Sequence, residues 1–129
     1  MSGFVREIRT KTAIYMDIID AVKLELDTQG VAKPTRVMQG ANLSWTLMND
    51  KLEELYETGF LGSEDSDIKD KRTKEMIYFT DNKLATKLVW SYRKDGMRGV
   101  IEMYDTLPYG LQELFCLDVS FLFLKQLIL

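Results

Sequence analysis

The sequence predicts a mainly α-helical fold carrying one small antiparallel β-hairpin, and three observations predict it. Apolar residues recur every three or four positions along most of the chain, which is the period of a helix face. Proline, serine and glycine stand where helices begin and end. One short run, Met76-Ile77-Tyr78-Phe79, is built instead of strand-favouring residues and follows a polar stretch, so it reads as half of a hairpin.

In the first helix, from about residue 12 to 28, Ile14, Ile18, Val22 and Leu26 form one apolar stripe with Tyr15 and Ile19 beside it, and Gly30 ends it. These residues read as plain core. The run Lys33 to Gly40 then predicts a helix of barely two turns, with Pro34 in its first turn and Gly40 as its left-handed exit. A third helix, about 44–58, is marked at its start by Ser44 as N-cap and by Leu43 and Met48 at the two positions of a hydrophobic staple. Leu47, Met48, Leu52, Leu55 and Tyr56 make its buried stripe, and Gly59 stops it. Trp45, Thr46, Asn49 and Glu53 lie on the other face. A polar segment, Ser63 to Thr73, leads into the strand run, and Thr80 is expected to cap a further helix containing Leu84, Leu88 and Tyr92.

Two readings stay open beyond that point. Ala85, Val89, Tyr92, Gly96, Gly99 and Met103 alternate four and three apart, the seam of a coiled coil if the helix runs unbroken to about residue 104. Asp95-Gly96 is equally a helix stop, because each glycine inside a helix costs about 1 kcal/mol relative to alanine. After Pro108-Tyr109-Gly110 the tail 111–129 is mostly apolar, and Leu114, Leu117, Phe121, Leu124 and Ile128 repeat as a heptad seam. Glu113, Asp118 and Lys125 interrupt the tail too often for a membrane span of ~20 apolar residues. It is expected to be buried in the domain, in a dimer interface or against a protein partner.

Composition narrows the chemistry. With no histidine and one cysteine, the chain has no imidazole acid/base, no Cys/His zinc site and no internal disulfide. Cys116 lies in an apolar run, where a thiol is inert. The carboxylates Asp50, Glu53, Glu54 and Glu57, and Glu64, Asp65 and Asp67, lack calcium-loop spacing and read as helix and loop surface. No phosphate loop or nucleophile elbow occurs, so neither an enzyme nor a cofactor is expected. The first six residues lack the apolar core of a signal peptide, which points to the cytoplasm and, with DNA as partner, to the nucleoid.

Short helix, tight turn, capped helix is the order of a helix-turn-helix, whose second helix enters the major groove of double-stranded DNA near its own N-terminus. Followed by a hairpin, it predicts a winged helix-turn-helix over residues 1–94 and a C-terminal helical extension over 95–129. Ser44, Trp45, Thr46 and Asn49 would face bases or phosphates, with Asn49 suited to an adenine edge. Trp45 is either exposed toward DNA or partly buried on the first helix. Lys69, Lys71, Arg72 and Lys74 crowd the wing, 63–75, where they suit backbone phosphates. Lys33 and Arg36 lie in the short helix that meets the backbone, unless Arg36 pairs with a carboxylate of the fold. A net charge of −3, from 17 basic and 20 acidic residues, means that any DNA binding rests on such local patches.

The run Lys33 to Trp45, with Thr35-Arg36-Val37-Met38 followed by Ala41-Asn42-Leu43-Ser44, resembles a signature of small archaeal winged-helix proteins. Leu52-Glu53-Glu54-Leu55, Gly59-Phe60-Leu61 and Tyr78-Phe79-Thr80 fall where that family has its helix end, strand and final helix start. The resemblance is to DNA-binding regulators and chromatin proteins, often dimeric through a long helix after the wing, and implies here a transcriptional regulator, homodimeric through the residues after 81. A winged helix that binds protein rather than DNA, using the tail and the acidic surface, is the alternative.

Overall fold

The computed structural model describes residues 9–65 and 75–128. Within them the chain is mainly helical with a two-stranded antiparallel sheet. Helix α1, Lys11–Gln29, is the central pillar: Tyr15, Met16, Ile18, Ile19 and Val22 are almost wholly buried, and α2, α3 and α4 all pack on it. Thr10 caps it, its Oγ1 accepting from the Ala13 amide at 3.2 Å, and Gly30 leaves it at φ 79°.

Helix α2, Pro34–Ala41, begins at the expected proline but does not end at Gly40. Asn42 takes the left-handed position instead, at φ 55°, a conformation that asparagine tolerates better than most residues. Gly40 serves packing, since a Cβ there would stand 3.3 Å from the Ala21 Cβ of α1. Helix α3, Trp45–Glu57, starts at Ser44, whose Oγ accepts from the Leu47 amide at 3.3 Å, and Gly59 follows it at φ 76°.

Strands β1, Leu61–Asp65, and β2, Glu75–Phe79, pair with Leu61 opposite Phe79 and Asp65 opposite Glu75. The Ile77 amide also donates to the Ala32 carbonyl at 2.8 Å, which fastens the hairpin to the segment between α1 and α2. Phe60, Leu61, Ile77 and Phe79 turn into the core, and Phe60 meets Phe79 edge-on at 5.7 Å. Thr80 is not the cap of the next helix. Its hydroxyl donates to the carbonyls of Gly59 and Phe60, at 2.6 and 3.2 Å, latching both ends of the hairpin, and Asp81 caps α4, Asn82–Asp95, by accepting from the Leu84 amide at 3.0 Å.

Of the two readings for the next segment, the helix stop holds. Gly96 sits at φ 61° and ψ −140°, which ends α4 and starts the short α5, Met97–Glu102. The residues of the alternative coiled-coil seam are used inside the chain: Ala85 and Val89 are buried, and Tyr92 packs against the same core. Gly99 folds α5 onto α4 so closely that a Cβ would lie 2.2 Å from the Ser91 carbonyl oxygen. Among the described residues no single helix runs on from residue 82 to 104.

The tail is likewise two helices rather than one seam: α6, Tyr109–Cys116, and α7, Val119–Ile128. Leu114 and Phe121 are buried, whereas Leu117, between the two helices, is 72% exposed. Buried Asp118 makes the joint. Its Oδ2 accepts from the Thr12 amide at 2.9 Å, while its Oδ1 accepts from the Ser120 amide at 3.0 Å, so one carboxylate serves the first turns of α1 and α7 together. Burial alone would raise its pKa, but the hydrogen bonds from Thr12, Phe121 and Ser120 outweigh it and hold the carboxyl below the usual range. The rings of Tyr15, Phe115, Phe121 and Tyr104 follow one another with centroids 5.6–6.3 Å apart, the first pair stacked, the second edge-on and the third tilted, carrying one continuous core from α1 into the tail. Among the described residues no helix is long and apolar enough to cross a membrane.

Candidate nucleic-acid interface

The turn between α2 and α3 is held from outside. Arg9, just ahead of α1, donates from Nη1 to the Ala41 carbonyl at 2.6 Å and from Nη2 to the Asn42 carbonyl at 2.8 Å. Its Nη1 also meets Asp17 Oδ2 at 3.1 Å, and Asp17 Oδ1 accepts from the Tyr92 hydroxyl of α4 at 2.7 Å. Burial and the hydrogen bond to Asp17 push the Tyr92 hydroxyl above its usual pKa, so it stays a donor. One chain of contacts thus ties α1, α4 and the turn together. Arg9 was not among the expected functional residues, and a lone arginine ahead of a helix gives no local signal of the role.

Helix α3 is set into the core by Met48, Leu52 and Leu55, which turns Trp45, Thr46 and Asn49 outward. Trp45 is 48% exposed, so of its two readings the exposed one holds. Ser44 is exposed too, although its hydroxyl is engaged in capping. Ser44, Thr46 and Asn49 line a shallow concavity that continues to Asp50 and Glu53. The outward face is therefore neutral and hydrogen-bonding over its first turn and a half, and acidic beyond it. Only the N-terminal part can approach phosphates without like-charge repulsion.

On its flank, Glu54 accepts a hydrogen bond from the buried Tyr15 hydroxyl and pairs with Lys51 at 3.3 Å. That carboxylate is part of the scaffold. Tyr56 similarly donates to Glu75 of β2 at 2.6 Å, tying α3 to the hairpin.

Lys33 is half-buried at the start of α2. Arg36 is exposed and donates from Nε to Glu25 Oε1 at 3.0 Å, the pairing anticipated as its structural use. The Glu25 side chain is only 12% exposed, so the guanidinium serves a largely buried carboxylate while its own outer edge still faces solvent. The wing residues Lys69, Lys71, Arg72 and Lys74 lie outside the described residues. The described stem of the hairpin shows Glu64 and Asp65 to solvent.

A further basic surface escaped the sequence reading. Lys83, Lys87, Trp90 and Lys94 are all exposed on α4, and at about 100° per residue their spacing puts them in one stripe. Their i, i+4, i+7, i+11 positions are the sequence signal of that stripe, and they alternate with the apolar face of the same helix. Arg93 lies beside the stripe, 5.8 Å from the Trp90 ring and paired with Asp20 at 2.7 Å.

A short helix, a left-handed asparagine turn, a serine-capped second helix and a hairpin bridged back to Ala32 are the parts of one motif. The sequence profile described as winged helix-turn-helix matches residues 8–84. The chain belongs to that family. None of the curated proteins and none of the solved structures compared with it matches. The matched span of the winged helix covers α1 to the start of α4, and so contains every expected site residue. The rest of α4 and the helices after it lie outside that span.

Proposed function

We propose that this winged helix binds double-stranded DNA as a transcriptional regulator, inserting the start of α3 into the major groove. The observation that carries the proposal is the outward, unobstructed first turn of α3, where Trp45, Thr46 and Asn49 are all exposed on a helix fixed by its serine cap and by Arg9. Asn49 offers the donor and acceptor that read an adenine edge, Thr46 reaches a base or phosphate, and Trp45 packs on sugar or a thymine methyl. Lys33 and Arg36, with Lys69, Lys71, Arg72 and Lys74 of the wing, supply the phosphate contacts. Acidic Asp50 and Glu53 limit how deep the helix goes, which favours selective binding over indiscriminate coating. Two copies reading a palindrome make the functional unit a homodimer.

The test is a titration of labelled duplex pools at two salt concentrations, followed by selection of bound sequences. Binding that weakens with salt, with enrichment of a two-fold-symmetric site, is expected. No binding at about 50 mM salt would overturn the proposal and favour the protein-binding reading.

A further inference from the structure

Helix α4 carries a charge opposite to that of the chain. Four cations, Lys83, Lys87, Arg93 and Lys94, stand against one carboxylate, Asp95, a net of +3 in a chain of net −3. Ala85, Leu88 and Val89 take the apolar side of the helix into the core, so the charge is gathered on the outer side. At about 100° per residue, Lys83, Lys87, Trp90 and Lys94 fall within about 60° of one another. The same count places them about 140–180° round the helix from Tyr92, whose hydroxyl reaches Asp17 of α1. The row therefore looks away from α1 and from the turn that Arg9 holds.

Trp90 is 62% exposed within this row. Arg93 steadies it, with the guanidinium carbon 5.8 Å from the ring centre and the charge taken up by Asp20 of α1 at 2.7 Å. The ring also walls an open cavity of about 570 Å³, lined further by Ser91, Arg93, Lys94, Asp95 and Glu102. A steadied ring with ammonium groups on both sides is a stacking platform: a base lies on the ring and the phosphates of its strand meet the lysines. Asp95 and Glu102 repel phosphate but accept from the N–H groups of a base, so the cavity suits the base and the row suits the backbone.

Other occupants fit this face less well. Protein interfaces are depleted in lysine. A second copy brought up about a two-fold axis would set the row against itself, lysine facing lysine. A helix lying in a membrane surface needs a free apolar face, and that of α4 is buried. The bases of a duplex are stacked on one another and leave Trp90 no face to cover. The row carries no acceptor for a ribose 2′-hydroxyl, so it gives RNA no advantage over DNA.

From this we infer that the outer face of α4 is a second nucleic-acid surface, one that takes single-stranded DNA, with Trp90 stacked on a base and Lys83, Lys87 and Lys94 on the phosphates. It goes beyond the duplex binding proposed for α3 and uses none of the same side chains. The test is fluorescence anisotropy of a labelled oligothymidylate of about 16 nucleotides, titrated with the full chain from about 50 mM salt upward. Binding that weakens with salt is expected. Trp90→Ala should weaken it at least roughly 10-fold, while Trp90→Phe, which keeps a ring face, should retain most of it. Lys83→Gln/Lys87→Gln/Lys94→Gln should also weaken it and lower the salt slope by about two. Circular dichroism and melting of these variants should match the wild type, because all four side chains are exposed. If the triple variant does not fold, Lys87→Gln alone serves, with the slope lowered by about 0.7. Asn49→Ala should leave the oligothymidylate affinity unchanged, so failure of either surface leaves the other standing.

No binding of oligothymidylate, an undiminished affinity in Trp90→Ala, or tighter binding of oligouridylate overturns the inference. So does a duplex of random sequence that loses as much affinity as the single strand from Trp90→Ala, since the row would then be a duplex contact. A chain that sediments as a dimer and becomes a monomer on Trp90→Ala overturns it as well, with a second copy as the occupant.

Discussion

The guanidinium of Arg9 donates to the carbonyl of Asn42, 33 residues further along the chain, at 2.8 Å. Asn42 is the left-handed residue of the helix-turn-helix, so this bond fixes the peptide at which α2 hands over to α3. The same guanidinium takes the Ala41 carbonyl and the Asp17 carboxylate. A planar fork reaches two carbonyls and a carboxylate at once, which an ammonium does not match.

Arg9→Ala is therefore expected to lower stability by about 1–3 kcal/mol and to weaken DNA binding, although Arg9 is not one of the proposed DNA contacts. Arg9→Lys should restore only part of either. Denaturant unfolding and anisotropy titration of the same variants check this. Unchanged stability would remove the clamp from the account.

On the DNA side, Asn49→Ala should weaken one selected sequence more than a scrambled one, by about 1–3 kcal/mol for a lost base contact. Arg72→Ala should weaken both alike and reduce the salt slope by about one ion. Competition titrations at several salt concentrations separate the two patterns. Equal losses on both sequences from Asn49→Ala would contradict base reading.

Asp118 makes stability depend on acid. Its carboxyl is held below its ordinary value of 3.8, so ionised Asp118 favours the folded state. This stabilisation is fully present above the unfolded value and is lost as pH falls through the lower, folded one. Asp118→Asn should cost about 1–3 kcal/mol at neutral pH, and should flatten the loss of stability below about pH 4. Unfolding curves across a pH series read both effects. A variant with the wild-type acid profile would assign that dependence to other carboxylates.

Gly99 and Gly96 should resist substitution for different reasons. A Cβ at Gly99 meets the Ser91 carbonyl oxygen at 2.2 Å, so Gly99→Ala forces α5 off α4 and should cost about 1–3 kcal/mol or more. At Gly96 there is space, but φ 61° with ψ −140° is a conformation nearly restricted to glycine, and Gly96→Ala should cost about 1–3 kcal/mol through strain. Thermal unfolding measures both. If α4 and α5 were one continuous helix in solution, both changes would instead stabilise.

The signals that were legible in the sequence act over a few residues. Pro34, Ser44, Gly59 and the apolar periodicity of α1 and α3 set the helix-turn-helix because capping, φ preference and amphipathic spacing are decided within a turn or two. The same reasoning placed Trp45, Thr46 and Asn49 on the free face of α3. It misassigned two boundaries by one or two positions. Asn42 and Asp81 take the roles expected of Gly40 and Thr80, and both displaced residues are used by distant partners: Gly40 by Ala21 of α1, Thr80 by the carbonyls of Gly59 and Phe60.

Spacing alone left a coiled coil of 85–103 open beside a stop at Gly96 and made a heptad seam of the tail, because a stripe of apolar residues does not name what covers it. By itself the sequence determined which segments are helices, where most of them begin, and which faces are apolar. Only the tertiary structure decided which surface each face meets. It spent Ala85, Val89 and Phe121 inside the chain, joined Asp118 to an amide 106 residues away, and left Val119, Phe123 and Leu127 bare. Those outcomes depend on contacts between residues far apart in sequence, which local propensity does not encode.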